Sequence, residues 1–178
     1  MIILEGPDNA GKSTLAEYIK ETNGLTVVHS GGPSKDDNEI VSRMTQYMKM
    51  ADSATVMDRI PCISDPIYCR IIRGVSSPLS DSRWMRGLLL HKPIIIYCRP
   101  SEHILLNLEH HLVKEHETKD HVQLVNERAR ILIEAYDNVM KSVPHILWDW
   151  TAANSYCYSY IACIVELDKE RCNDRIGE

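Results

Sequence analysis

The sequence predicts a three-layer α/β sandwich around a mainly parallel central sheet. Three observations carry that expectation. Short apolar runs alternate with longer stretches of helical periodicity. One run, Pro93 to Cys98, is almost continuously apolar, as strands buried on both faces are. The first run ends in the turn GPDNAG, which leads directly into a helix-like segment.

Each element has its own signal. Met1 to Leu4 reads as the first strand, and Leu15, Tyr18 and Ile19 form the stripe of the helix after the turn. Leu25 to His29 reads as the second strand. A stripe of Ile40, Met44, Tyr47 and Met48 follows, with Asn38 as its capping candidate. Thr55 to Met57 and Pro93 to Cys98 supply the third and fourth strands. The clearest helix starts at Asp120, where Gln123 completes a capping box, and its stripe runs through Val125, Leu132 and Tyr136 to Met140. Val143 to Trp148 reads as the last strand, and Asn154 as the cap of a final helix. No repeat or low-complexity block interrupts the order, so residues 1–178 are expected to form one domain.

Composition excludes several classes. A formal charge of −5 exerts no general pull on DNA, RNA or an anionic membrane, so a phosphate ligand would need local cations. The opening MIILEGP lacks a basic leader, and no apolar run approaches a membrane span; a cytoplasmic protein is expected. The six cysteines (Cys62, Cys69, Cys98, Cys157, Cys163 and Cys172) show no C-x-x-C spacing and read as reduced thiols.

Gly6-x-x-x-x-Gly11-Lys12-Ser13 is the P-loop pattern, in the strand–turn–helix setting that it requires. The sandwich is therefore read as a P-loop NTPase fold. Glycines let successive N–H groups face phosphate oxygens, and the helix N-terminus adds partial positive charge. Gly6, Asn9, Ala10, Gly11, Lys12, Ser13 and Thr14 are the expected ATP-binding set, with the Ser13 hydroxyl a candidate Mg²⁺ ligand. A second cluster, DRIPCISDPIY, follows the third strand and so emerges at the same sheet edge. Asp58 can hold the metal or orient an arginine, and Arg59 offers a planar fork for phosphate oxygens. Lys12, Asp58 and Arg59 are the catalytic candidates. An acid and an arginine beside a P-loop suit a kinase whose acceptor is itself a phosphate, where positioning and charge neutralisation outweigh a strong base.

The pair L-E-G-P-D-N-A-G-K-S-T and D-R-x-x-x-S-x-x-x-Y resembles the thymidylate kinase family and its phage-type relatives. The resemblance implies ATP-dependent phosphorylation of dTMP or a related pyrimidine deoxynucleotide, with Mg²⁺. It implies that Asp8 faces the sugar hydroxyl, that Asp58 and Arg59 position the acceptor phosphate, and that Ser64 and Tyr68 line the monophosphate pocket. A homodimer and a lid, here EHHLVKEHETKD at residues 109–120, are further implications. Departures from the family pattern concern the base. The chain has no phenylalanine, leaving Tyr47, Tyr68 and Trp84 as flat surfaces for stacking. Asn9 stands where the family carries Gly or a catalytic Arg, and His29-Ser30-Gly31-Gly32-Pro33-Ser34 replaces E-P-G-G-T. Lys114, Lys119, Arg99, Arg128 and Arg130 are the cations near the lid.

Other features carry less. His110, His111, His116 and His121 have the wrong spacing for a helical metal site. The aromatic run from Trp148 to Tyr160 has no interleaved Lys or Arg and reads as core or adenine-pocket packing, not a nucleic-acid platform. Two alternatives remain open. A deoxynucleoside kinase would need a general base, for which strand two offers only His29. A non-catalytic P-loop module would bind NTP without turnover; the guanine-specifying N-K-x-D is absent.

Overall fold

The structure, a computed structural model, describes residues 1–31, 34–51, 54–107, 119–152 and 155–176. Five strands form one all-parallel sheet in the order β2-β3-β1-β4-β5: β1 (Ile2–Glu5), β2 (Thr26–His29), β3 (Thr55–Asp58), β4 (Ile94–Cys98) and β5 (Ile146–Trp148). All five expected strands are present, with no end shifted by more than three residues.

Alternation within the strands explains the three layers. Ile3, Met57, Ile95 and Tyr97 face one core, and Ile2, Leu4, Val56, Ile96 and Cys98 face the other. A strand buried on both faces has no polar side to show, which is why β4 reads as an unbroken apolar run. The first core is covered by α2 (Asp37–Lys49), α3 (Pro61–Tyr68), α4 (Ser82–Leu90) and α7 (Ala129–Met140), the second by α1 (Lys12–Asn23) and α8 (Ser155–Ile176). Two short helices, α5 (Glu102–Asn107) and α6 (Lys119–Glu127), lie between β4 and α7 in sequence.

Three local expectations are corrected. The N-cap of α2 is Asp36, which accepts from the Glu39 N–H at 2.9 Å, not Asn38. The stripe from Val122 to Met140 belongs to two helices, because Arg128 adopts φ −105° and ψ 11° between α6 and α7. Periodicity could not show the break, since Val125, Leu132, Tyr136 and Met140 face the same core on both sides of it. Gln123 makes no capping box; its amide donates to Glu127 at 2.8 Å along α6.

Cys62, Cys69, Cys98 and Cys163 are unpaired thiols. Among the described residues no helix is long and apolar enough to cross a membrane. Residues 109–118 of the expected lid, with His110, His111 and His116, lie outside the described residues, as does Asn154; Lys119 and Asp120 open α6.

Candidate active site

The carboxyl ends of β1, β2 and β3 converge on the first turn. Gly6 has φ 145°, and a Cβ there would stand 2.3 Å from the Cys98 carbonyl oxygen. Only glycine lets the chain leave β1 against the backbone of β4 and curl at once. Asn9, at φ 61°, and Gly11, at φ 83°, complete the curl and open α1. Behind Gly11 stand Trp148 and Trp150, whose nearest ring atoms lie 3.2 and 2.9 Å from the position of an added Cβ. The expected adenine-side aromatics are thus part of the wall behind the loop.

Lys12 is buried, and its ammonium donates to the carbonyls of Gly6 at 3.0 Å and Pro7 at 2.5 Å. Burial, reinforced by Arg59, pulls its pKa down to about 8, while Asp8 and Asp58 oppose the fall. Ser13 and Thr14, the next two residues, are exposed on the first turn of α1. The Ser13 hydroxyl donates to Asp58 Oδ2 at 3.1 Å, so the two expected metal donors meet. Ser and Asp oxygens suit a hard cation such as Mg²⁺, and their convergence beside the loop fits one.

Asp58 and Arg59 are neighbours that point to different partners. Arg59 has φ 75°, a conformation that side chains rarely adopt, and its N–H donates to the Leu4 carbonyl at 2.9 Å. This turn sends the guanidinium to Asp8, which accepts from Nη2 at 2.6 Å and from the Tyr68 hydroxyl at 2.5 Å. The Arg59 fork also stacks 4.9 Å from the Tyr68 ring centroid and contacts the Tyr136 hydroxyl at 3.4 Å. Such a backbone conformation costs roughly 1–3 kcal/mol and persists only where the surroundings hold it, as these contacts do.

Other expected residues take supporting positions. Tyr47 is buried, and its hydroxyl donates to the His29 carbonyl at 3.3 Å, bracing the end of β2. Ser64 is buried in α3, with its hydroxyl turned onto the Ile60 carbonyl at 3.2 Å. Trp84 is half-buried and packs against the first core. Three of the arginines near the lid are engaged elsewhere. Arg99 makes a two-pronged pair with Asp137 at 2.9 Å for each contact, Arg128 donates to the Ile71 carbonyl, and Arg130 pairs with Glu102 at 3.2 Å. A cavity of about 150 Å³ adjoins the loop, where Asp8 and Asn9 face Leu105, Val125, Asn126 and Leu132.

Glu5 was missed by sequence reasoning, although an acid ending an apolar strand before the loop was a legible signal. It is fully buried; Oε1 accepts from the Ile60 N–H at 2.6 Å, and Oε2 has no hydrogen-bond partner among the described residues. Burial pushes its pKa up to about 7, against the pull of the Ile60 N–H, Arg59 and Lys12. A folded-state pKa above the unfolded value means the native state binds more protons, so this stability is full below about 4.5 and is lost as pH rises through 7. Glu5→Gln, which keeps the acceptor for Ile60, is therefore expected to flatten the fall in melting temperature between pH 5 and 7.5. Equal slopes for both proteins would show that Glu5 does not titrate in that window.

No protein-family model matches the chain, and no curated protein matches it in sequence. Solved structures do. The YorR protein of Bacillus subtilis, in complex with phosphorylated GDP, is similar with a TM-score of 0.67 and 20% identity, over 95% of this chain and 97% of that one. A gluconokinase from Sinorhizobium meliloti is similar with a TM-score of 0.52 and 14% identity, over 98% of this chain and 94% of that one. At such identities the likeness concerns architecture. The chain has the α/β fold of these two proteins, with its five-stranded parallel sheet flanked by helices.

Proposed function

We propose that the protein is a P-loop kinase that transfers phosphate from ATP·Mg²⁺ to a nucleoside monophosphate, with dTMP or a related pyrimidine deoxynucleotide as acceptor. One observation carries the reading. The dipeptide Asp58-Arg59 joins the two halves of the site, with Asp58 on Ser13 of the P-loop at 3.1 Å and Arg59 on Asp8 at 2.6 Å. A donor phosphate and an acceptor phosphate held by adjacent residues of one turn would be held close to each other. The motif resemblance to thymidylate kinases supports the same reading, as does the similarity to a structure that holds phosphorylated GDP.

Each side chain then has a task. Lys12 leaves the Gly6 and Pro7 carbonyls to take phosphate oxygens, for which its burial removes competing water. Ser13 and Asp58 would hold Mg²⁺, which when bound neutralises the charge between donor phosphates. Arg59 presents its fork to the acceptor phosphate, with Asp8 and Tyr68 fixing its direction. Asp8 lines the cavity, and the motif resemblance gives it the sugar of the acceptor; small-molecule nucleotides are the proposed ligands. A homodimer is part of the same proposal, on the motif resemblance alone.

The test is ADP release from ATP·Mg²⁺ with a panel of ribo- and deoxynucleoside monophosphates, and the nucleosides alongside. Turnover with one pyrimidine monophosphate is the expected result. Turnover with nucleosides alone would transfer the reading to a deoxynucleoside kinase with His29 as base, and ATP binding without turnover to a regulatory module. Arg59→Ala is expected to lower kcat/KM for the acceptor about a hundredfold, roughly 2.7 kcal/mol, with little change in the KM for ATP. A rise in the ATP KM alone would move Arg59 to the donor side.

A further inference from the structure

We propose that His29 is a third protein donor to the metal beside the phosphate loop, and that this nitrogen gives the site a preference for Mn²⁺ over Mg²⁺. The inference rests on the reading of the loop as a nucleotide phosphate site. β2 and β3 pair in parallel with His29 opposite Asp58, so the two side chains leave neighbouring strands at the same sheet edge. Asp58 Oδ2 lies 3.1 Å from His29 Nδ1 and 3.1 Å from Ser13 Oγ. Two donors, from β2 and α1, therefore crowd one carboxylate oxygen at the end of β3.

Both contacts are hydrogen bonds, and their lengths also suit neighbouring donors of a coordination shell. Donors held at about 2.1 Å around an octahedral ion stand about 3.0 Å from their neighbours, so both separations match an octahedral edge. Among the described residues no three His, Cys, Asp or Glu side chains cluster to hold a metal without help. A shell of Ser13, Asp58 and His29 is incomplete by itself, and phosphate oxygens and water would complete it. Metal binding at this position is accordingly tied to nucleotide binding.

His29 is also fixed from behind, although 57% of its side chain is exposed. Its carbonyl accepts from Tyr47, the following Ser30 N–H donates to the Asp58 carbonyl at 3.2 Å, and Arg43 donates to the Ser30 carbonyl at 2.6 Å. The end of β2 is thus braced against movement while the imidazole stays open to a ligand. Mg²⁺ favours an all-oxygen shell, whereas affinity for sites with a nitrogen donor rises from Mn²⁺ through Co²⁺. Replacing one oxygen of the shell by imidazole shifts preference in that direction.

The experiment uses the full chain with ADP and Mn²⁺, read by electron spin-echo envelope modulation and by titration of bound Mn²⁺. Wild type is expected to show directly coordinated ¹⁴N, absent in His29→Gln. The same substitution is expected to weaken Mn²⁺ about tenfold and Mg²⁺ little. Bound Mn²⁺ without that nitrogen signal would overturn the inference and leave the nucleotide site standing. Mn²⁺ binding that ignores ADP in both wild type and Lys12→Ala would overturn the two together.

Discussion

Lys12→Ala is expected to lower turnover about a thousandfold while the protein still folds, the scale on which losing one preorganised donor to a transition state acts. The structure explains why the fold survives. The ammonium contacts two carbonyls of its own loop, Gly6 and Pro7, and among the described residues it donates to no carboxylate. Burial already works against its charge, so removing it relieves desolvation as it releases two acceptors. Steady-state rates and melting temperatures of wild type and variant, measured together, check both halves. Turnover equal to wild type would overturn the P-loop assignment; a collapse in melting temperature would show that the lysine is structural. The same residue sets a pH effect. Its folded-state pKa is lowered to about 8, so the positive charge is lost as pH rises through that value. The KM for ATP should therefore rise above pH 8 in wild type and stay flat in the variant.

Gly6→Ala is expected to be the most damaging small substitution for stability, at about 3–5 kcal/mol and roughly 10 °C in melting temperature. Two separate costs add. Alanine resists φ 145°, and its Cβ would stand 2.3 Å from a backbone oxygen of β4 that only a shift of the strand can move. Gly24 is the internal control. It also has a left-handed φ, 66°, but nothing lies within 4 Å of an added Cβ, so Gly24→Ala should cost only about 1 kcal/mol. Thermal unfolding of the two variants separates backbone conformation from collision. If Gly6→Ala lost no more than Gly24→Ala, the close approach of β1 and β4 would not be the constraint at this turn.

Arg59 shows how local and distant information divide. That an arginine follows the third strand is plain in the sequence, and its neighbours made it a candidate for phosphate binding. Its direction was not. It depends on a left-handed φ at a residue with no sequence signal for one, and on Asp8, Tyr68 and Tyr136, which come from three different elements. The reverse holds for Arg99 and Arg128. Their positions near the end of β4 and after α6 suggested free cations, but Asp137 and the Ile71 carbonyl take them, and neither partner is close in sequence.

By itself the sequence determined the alternation of strands and helices, the phosphate loop and the edge of the sheet at which Asp58 and Arg59 emerge. All of these are local or periodic: a glycine spacing, an apolar run, a residue directly after a strand. Tertiary structure alone decided what depends on pairing between distant segments. It set the strand order that brings His29 beside Asp58, the burial that raises Glu5, the wall of Trp148 and Trp150 behind Gly11, and the break at Arg128 inside one continuous stripe. The physical reason is common to them. Hydrogen-bond direction, desolvation and steric contact act over a few ångströms in space, and residues far apart in sequence supply the partners.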